Sequence, residues 1–331
     1  MSMMKRNLYY FFMLAMFSCS LFLVGCASVD DDLEVTKKPQ REDLYQGKSQ
    51  IAVGGAPQSE MEAINQAQDA ERSGDLDKAL YAYIQALDFN QLNADTFYQI
   101  ARIHVAKGNK EIALKAYNEA LTINPDHRLA NAELGILEID RRQYRLARKH
   151  LEKTVLLDQQ RLSSIKSKSV AAKFLPLDEL SPLRVYNALA ILEDLENNNE
   201  AARTYFRLIL AFQPQSAIIA TNLGYSFYLV GDFDNAESYL KQALRADPSF
   251  TRAWSNLGLV YIRQGNYRRA LASFEQTMTT ADALNDLGYF LMLEGKYEQA
   301  ISLFKQAIDT SPTYFERAHK NLKIALASKI N

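Results

Sequence analysis

The residues that most often carry chemistry in proteins are few in this chain and are unevenly placed. Both cysteines, Cys19 and Cys26, lie near the amino-terminal end. A disulfide scaffold, a cysteine-rich zinc site and a cysteine nucleophile are therefore excluded from the rest of the chain. The histidines are scattered without the spacing of metal ligands, and we interpret them as residues on helix surfaces: His104, His127, His150 and His319.

Cys26 ends a segment with the pattern of a secretory signal. Lys5 and Arg6 precede an uncharged run over residues 8–24 that is rich in Leu, Phe and Met, as in the basic and apolar regions of a signal peptide. The run ends in Leu23-Val24-Gly25-Cys26, which resembles the bacterial lipobox. The resemblance implies a signal peptide at residues 1–25 and lipidation of Cys26.

In the lipobox family, the cysteine sulfur takes up diacylglycerol, the preceding peptide bond is cut, and the new amino terminus receives a fatty acyl chain such as palmitate. An uncleaved membrane anchor is the alternative, because about 17 apolar residues are near the lower limit for spanning a bilayer. Ala27 and Ser28 follow the cysteine, with no aspartate beside it. In enterobacterial-type sorting, this implies lipid anchoring at the periplasmic face of the outer membrane, where several acyl chains give stable attachment.

Residues 26–59 lack helical periodicity and contain clusters that are typical of loops. Three consecutive aspartates stand at 30–32, and Gly54-Gly55-Ala56-Pro57 closes the segment. This composition predicts a lipidated flexible tether.

The composition of the chain favours long helices as its main elements. Gly and Pro number 13 and 8, about 6% of the 331 residues, against roughly 12% in average usage. So little turn-forming sequence excludes an all-β sandwich or barrel, while 48% apolar residues suffice for a large core. The 38 basic and 39 acidic residues nearly cancel. A nucleic-acid partner is therefore not expected, because such partners require a strong basic excess.

The region after the tether is built from repeats of about 34 residues. A marker alanine returns in each repeat: Ala79, Ala113, Ala147, Ala202, Ala236, Ala270 and Ala300. An aromatic residue or a leucine follows each marker four residues later. All glycines beyond residue 55 fall at two positions of the repeat, either twelve or five residues before the marker.

These repeats resemble the tetratricopeptide repeat over about 255 residues. One unit carries nearly every signature residue: Trp254, Leu257, Gly258, Tyr261, Gly265, Tyr267, Ala270 and Phe274. Small residues at Gly258 and Ala270 let two antiparallel helices approach closely, and Gly265 suits a turn with positive φ between them. The resemblance implies an all-α solenoid of helix pairs.

The register defines seven units and a final capping helix. The units span residues 60–93, 94–127, 128–161, 183–216, 217–250, 251–280 and 281–314, and the cap spans 315–331. Units one to three thus occupy 60–161, and units four to seven occupy 183–314. Unit six lacks four residues after Phe274, so its second helix is expected to end early.

Residues 162–182 interrupt the array between units three and four. Lys166, Lys168 and Lys173 make this segment basic, and no acidic residue precedes Asp178 within it. A basic docking element is one interpretation. The other is a solvated connection between the two groups of repeats, and it is the one favoured here.

The repeats leave no sequence for a separate catalytic domain. We find no P-loop, dinucleotide fingerprint or HExxH sequence, and no pair of carboxylates that the fold would place in a cleft. We therefore expect a protein that is not an enzyme and that has no metal, cofactor or small-molecule substrate apart from the covalent lipid on Cys26. Its function is expected to be the binding of protein partners.

Stacked units form a groove that is lined mainly by the first helix of each unit. Helical phase predicts that three residues of each first helix face this groove in units five to seven: Thr221, Tyr225, Tyr228, Ser255, Leu259, Ile262, Asn285, Tyr289 and Met292. Such a strip suits an extended or helical peptide. The alternative is that some of them pack as core between neighbouring first helices.

Two further features qualify the predicted groove. Units one to three have a more polar set at these positions: Gln68, Arg102, Ile136 and Ile139. Some members of the repeat family hold a carboxylate with paired Lys, Asn and Arg, and Arg252 with Asn222 alone does not make that clamp.

A lipidated array of seven units resembles the bacterial lipoproteins that assemble surface fibres, in particular tight-adherence (Flp) pili. Residues 222–225 and 285–289 carry this resemblance, together with the order of signal, tether and array. It implies a scaffold for a pilus or secretion apparatus whose partners are a secretin or other envelope components. An envelope adaptor that delivers proteases or peptidoglycan hydrolases to substrates is the alternative. A scaffold for outer-membrane protein insertion is a third role.

Overall fold

The computed structural model describes residues 41–45, 56–165 and 174–330. In these ranges, the chain contains α-helices and one short 3₁₀ helix, without a strand. The prediction of an all-α fold is confirmed. The proposed signal peptide, Cys26 and the lysines of the interruption lie outside the described residues.

The helices succeed one another in pairs, and each pair packs against its neighbours in chain order. The 3₁₀ helix spans Glu42–Leu44. The α-helices are α1 (Glu60–Arg72), α2 (Leu76–Phe89), α3 (Ala94–Ala106), α4 (Lys110–Ile123), α5 (Arg128–Asp140), α6 (Tyr144–Ile165), α7 (Leu183–Leu195), α8 (Asn199–Phe212), α9 (Ala217–Leu229), α10 (Phe233–Ala246), α11 (Thr251–Arg263), α12 (Tyr267–Phe274), α13 (Thr280–Leu293), α14 (Tyr297–Thr310) and α15 (Glu316–Ile330). Odd-numbered helices up to α13 are the first helices of their units, and even-numbered helices are the second helices.

The turn inside each pair requires one residue with positive φ. Five units use glycine there, as at Gly265 with φ 75°. Units three and four have Arg142 and Asn197 instead, with φ of 60° and 65°. A side chain at this conformation is strained, so these two units tolerate a local cost that the other five avoid.

The close approach of the two helices in a pair depends on the glycine that stands twelve residues before the marker alanine. In unit six, a methyl group added at Gly258 would overlap the ring of Phe274. Phe274 is 2% exposed and Ala270 is fully buried, so neither side of this contact has space to move into. The contact fixes the distance between α11 and α12.

We expect the substitution Gly258→Ala to lower the free energy of unfolding by about 1–3 kcal/mol, because overpacking a tight core forces displaced side chains. Thermal unfolding followed by circular dichroism measures this loss. In the double variant Gly258→Ala/Phe274→Leu, the smaller side chain should restore part of the loss that is caused by overlap. If Gly258→Ala melts like the wild type, the assigned packing of α11 on α12 is incorrect.

The second helix of unit six is short, as the missing residues indicate. α12 has 8 residues, whereas α10 and α14 each have 14. Turns at residues 275–279 then lead directly into α13. Compared with α10 and α14, α12 therefore lacks its last turns, and these turns are not available to pack beside α11.

The interruption is not a solvated connection where the structure describes it. α6 continues to Ile165 and buries Leu162 completely. Residues 174–182 then fold back on the array, with Leu177 buried and the ring of Phe174 at 5.2 Å from that of Tyr205. The prediction of a solvated connection is wrong for these residues, because their apolar side chains extend the core.

Part of the proposed tether is also packed against the repeats. Leu44 is fully buried, and its carbonyl oxygen accepts a hydrogen bond of 2.7 Å from Nε2 of His104. The guanidinium of Arg41 lies over the ring of Phe97 at 5.3 Å. The prediction of a flexible tether is therefore wrong for residues 41–45, which use their one leucine as an anchor.

Two of the histidines were wrongly assigned to helix surfaces. His104 is fully buried, and burial lowers its pKa. His127 is 8% exposed and caps α5, where Nδ1 accepts a hydrogen bond from the backbone nitrogen of Ala130 at 3.0 Å. Both side chains thus serve the packing of the array.

Candidate peptide-binding groove

The candidate groove is the face of the first helices α7, α9, α11 and α13. The positions of three glycines show which way this face points. Gly224, Gly258 and Gly288 lie against the second helix of their own units. The residue after each glycine points about 100° away around the helix, and these residues are the half-buried side chains of Tyr225, Leu259 and Tyr289.

The nine predicted groove residues divide into two sets. Five are half-buried and present part of their surface to solvent: Tyr225, Tyr228, Ser255, Leu259 and Tyr289. Four are buried, at exposures of 0–8%: Thr221, Ile262, Asn285 and Met292. Ile262 and Met292 belong to the apolar core, in line with the alternative interpretation, and Asn285 is hydrogen-bonded to Asn321 of α15. The surface available to a partner is the first set.

The tyrosines of this face are held by other rings. Tyr225 and Tyr228 are stacked, with ring centroids 5.7 Å apart, and Tyr228 lies 6.0 Å from Phe233. The guanidinium of Arg263 lies over Tyr228 at 6.0 Å. One unit further along, Tyr289 meets Phe290 edge-on at 6.1 Å. Rings that are already ordered lose little entropy when a partner binds.

A line of polar side chains runs beside the rings. Asn222 donates a hydrogen bond of 2.8 Å to Asn187 and accepts one of 2.7 Å from Arg252. Burial lowers the pKa of Arg252, which forms no ion pair within the part of the chain that the structure describes. Sequence reasoning named Asn222 and Arg252 but missed Asn187, because the link between units appears only when α7 and α9 are placed side by side.

Two acids near this face have raised pKa values for the same reason. Burial raises the pKa of Asp194, which accepts hydrogen bonds from Ser226 at 2.8 Å and Asn199 at 2.9 Å. Burial also raises the pKa of Asp286, which accepts a hydrogen bond of 3.1 Å from Asn285. Each of the two carboxyls is thus held by polar neighbours of its own.

Units one to three offer a different surface. A cleft of about 520 Å³ lies between α1 and α3 and includes Gln68, Glu71 and Arg102. Arg102 makes two hydrogen bonds to Glu71, at 2.6 and 2.7 Å. Glu71 and Arg102 thus already satisfy each other, while Ile136 and Ile139 pack against the core. The row of half-buried Tyr225, Leu259 and Tyr289 has no counterpart at the corresponding positions of this cleft, where Arg102 stands in unit two.

The described ranges hold no cluster of His, Cys, Asp and Glu side chains arranged for a metal ion. None of the helices in the same ranges combines the length and apolar character that a membrane span needs. The apolar run at residues 8–24 lies outside those ranges.

Comparison with protein families agrees with the helix pairs. Residues 65–280 match the model described as the middle TPR-like domain of cilia and flagella-associated protein 70, and residues 281–314 match the tetratricopeptide repeat. The chain belongs to the tetratricopeptide-repeat family. This scaffold is one that mediates protein–protein interaction and is generally non-catalytic.

A curated relative shares only a short region. The human protein O-mannosyl-transferase TMTC3 is 43% identical over 54 residues, which is 16% of this chain and 6% of that protein. The chain thus spans a small fraction of the relative's length.

Solved structures show the same fold at low sequence identity. A tetratricopeptide repeat protein from Parabacteroides merdae aligns with a TM-score of 0.53 and 18% identity, over 82% of this chain and all of that one. The C-terminal part of a repeat protein from Cytophaga hutchinsonii gives 0.53 and 13%, over 78% and 99%. YrrB, described as a TPR protein with an unusual peptide-binding site, gives 0.50 and 18%, over 66% and 99%. These likenesses concern the fold.

Proposed function

We propose that this chain is a non-enzymatic, lipid-anchored scaffold protein that binds a peptide segment of an envelope protein on the first-helix face of units five to seven. The observation that carries the proposal is the row of half-buried Tyr225, Leu259 and Tyr289 on three consecutive first helices. Tyrosine offers apolar area and a hydroxyl at small entropic cost, which is why it is frequent in binding surfaces.

The cellular role that we propose is scaffolding the assembly of an envelope machine, in the manner of the tight-adherence (Flp) pilus assembly lipoprotein TadD. The lipobox sequence ending at Cys26 and the seven repeats support this proposal. The lipid on Cys26 would hold the array at the periplasmic face of the outer membrane. A secretin or another component of the pilus or secretion apparatus would be the client.

The groove is tested by partner capture with the full-length protein. We expect the double variant Tyr225→Ala/Tyr289→Ala to recover the client with at least about tenfold lower affinity, because truncating one anchor ring costs more than about 1 kcal/mol. Helical content should stay the same, since both side chains are half-buried. Affinity is measured by surface plasmon resonance once the captured client is identified by mass spectrometry.

Tyr314→Ala provides the matched control. Tyr314 lies between α14 and α15, outside the groove, and is 76% exposed. This variant should bind like the wild type. Equal recovery by the wild type and the double variant would exclude this face as the binding site and direct attention to the cleft between α1 and α3.

A further inference from the structure

Two non-repeat segments of this chain bind at matching places on the array. Each lies in an outer slot, which we define as the space between the second helices of two successive units, above the first helix of the later unit. Residues 41–45 occupy the first slot, bounded by α2, α3 and α4. Residues 174–182 occupy the middle slot, bounded by α6, α7 and α8.

The outer slot between units five and six is bounded by α10, α11 and α12 and has the same construction; we call it the unit-six slot. It is a cleft of about 590 Å³. Trp254 stands sixteen residues before its marker alanine, which is the repeat position of Phe97 in the first slot and Tyr186 in the middle slot. Tyr261 likewise stands at the repeat position of His104. The short α12 leaves this slot open at the side where a longer second helix would continue.

The two segments that fill slots share a chemical pattern. Each buries a leucine that stands beside an aspartate: Leu44 follows Asp43, and Leu177 precedes Asp178. The backbone of the second segment is also bound to the array. The side chain of Gln159 on α6 accepts a hydrogen bond of 2.7 Å from the backbone nitrogen of Leu175. A short segment with an apolar anchor and an acid thus fits the geometry of these slots, whether it forms a 3₁₀ turn, as residues 42–44 do, or an irregular chain, as residues 174–178 do.

The unit-six slot differs from the first slot in charge. In the first slot, Arg41 of the bound segment lies 3.7 Å from Glu119. Gln276 takes the repeat position of Glu119 in the unit-six slot, so that carboxylate is missing.

Three cations line the unit-six slot: Lys241, Arg245 and Arg269. Glu237 contacts Lys241 at 2.6 Å and Arg269 at 3.9 Å, and Arg245 pairs with no carboxylate in the part of the chain that the structure describes. A segment bound in this slot would therefore match its charge if it carried an acidic side chain where the first segment carries Arg41.

We propose that the unit-six slot binds a short acidic segment of a partner protein that presents a leucine beside an aspartate. The leucine would lie against Trp254 and Leu244, and the acidic side chains would meet Arg245 and Lys241. This site lies on α10, α11 and α12, apart from the rings of the first-helix face. A negative result at either site would leave the proposal for the other site unaffected.

Trp254 is the only tryptophan of the chain, so its fluorescence reports on this slot alone. The probe is a capped synthetic peptide of residues 41–46 carrying Arg41→Glu, titrated into the full-length protein with excitation selective for tryptophan. We expect a saturable change in fluorescence, with affinity about tenfold higher than for the unaltered peptide. The protein variant Arg245→Glu should lose about tenfold in affinity for the acidic peptide, whereas Lys305→Glu, the same charge change on α14, should not.

A second variant keeps the test decisive should Arg245→Glu fold poorly. Gln276→Glu restores the carboxylate of the first slot and should shift the preference toward the unaltered peptide with Arg41. No fluorescence change with either peptide would overturn the proposal. Equal affinity of the acidic peptide for the wild type and a folded Arg245→Glu variant would overturn it as well.

Discussion

Replacing Arg161 with alanine is expected to lower the free energy of unfolding by about 3 kcal/mol, because it leaves a buried carboxylate without its main partner. The side chain of Asp158 is fully buried, and Arg161 donates to it at 2.8 Å. The same guanidinium makes two hydrogen bonds to Asp178, at 2.7 and 2.8 Å. One arginine therefore joins α6 to the returning segment 174–182.

Thermal or urea unfolding of the full-length protein measures this effect, and Arg72→Ala is the control. Arg72 forms an ion pair of 3.0 Å with Asp69, but both side chains are at least 70% exposed. Such a surface pair contributes at most about 1 kcal/mol. A loss below about 1 kcal/mol in Arg161→Ala would contradict the assigned role of the buried pair.

The same contact predicts an acid dependence of stability. Hydrogen bonding from Arg161 holds the pKa of Asp178 well below its usual range. The stability that this ion pair contributes is therefore fully present above the pKa of an aspartate in the unfolded chain, about 4, and is lost as the pH falls below that value. Arg161→Ala should show a weaker loss of stability between neutral and acid pH than the wild type.

Replacing Cys26 with serine is expected to abolish lipid attachment completely, because the hydroxyl of serine does not replace the thiol that takes up diacylglycerol in the lipobox family. The variant should remain an uncleaved precursor in the inner membrane. Labelling with radioactive palmitate and separation of the two membranes measure both effects. Cys19→Ser is the matched control, since Cys19 lies within the proposed signal peptide and should leave labelling unchanged. Normal labelling and outer-membrane fractionation of Cys26→Ser would contradict the proposed anchor.

The repeating helix pairs could be predicted because their packing rests on single small residues. Gly258 and Ala270 are required where two helices touch, so their spacing marks each unit in the sequence. The early end of α12 at Phe274 follows from the same register. Arg142 and Asn197 show the limit of this reasoning, because they adopt a positive φ without being glycine.

The docked segments could not be predicted from periodicity. Residues 41–45 contain one buried leucine among charged neighbours, and five residues are too few to show a helical period. Their binding depends on a slot that forms only when α2, α3 and α4 are assembled. His104 was placed on a surface for the same reason, since the atoms that bury it include those of Leu44.

Helical phase assigned residues to the proposed groove but did not give the depth of each side chain. Tyr225 and Tyr289 are half-buried, so part of each ring is open to a partner. Thr221 and Asn285, one turn earlier, are buried, and Asn285 accepts a hydrogen bond of 2.9 Å from Asn321 on α15. The distance between successive units is set by packing along the whole array, and one helix's phase does not encode it.

The most direct test of the proposed binding face is site-specific photo-crosslinking in living cells. A photoreactive amino acid replaces Tyr289 in the full-length protein, and the same replacement at Tyr314 serves as control. We predict that position 289 forms an adduct with an envelope protein of the assembly machine and that position 314 does not. Absence of any protein adduct at position 289 would contradict the claim that this face holds the client.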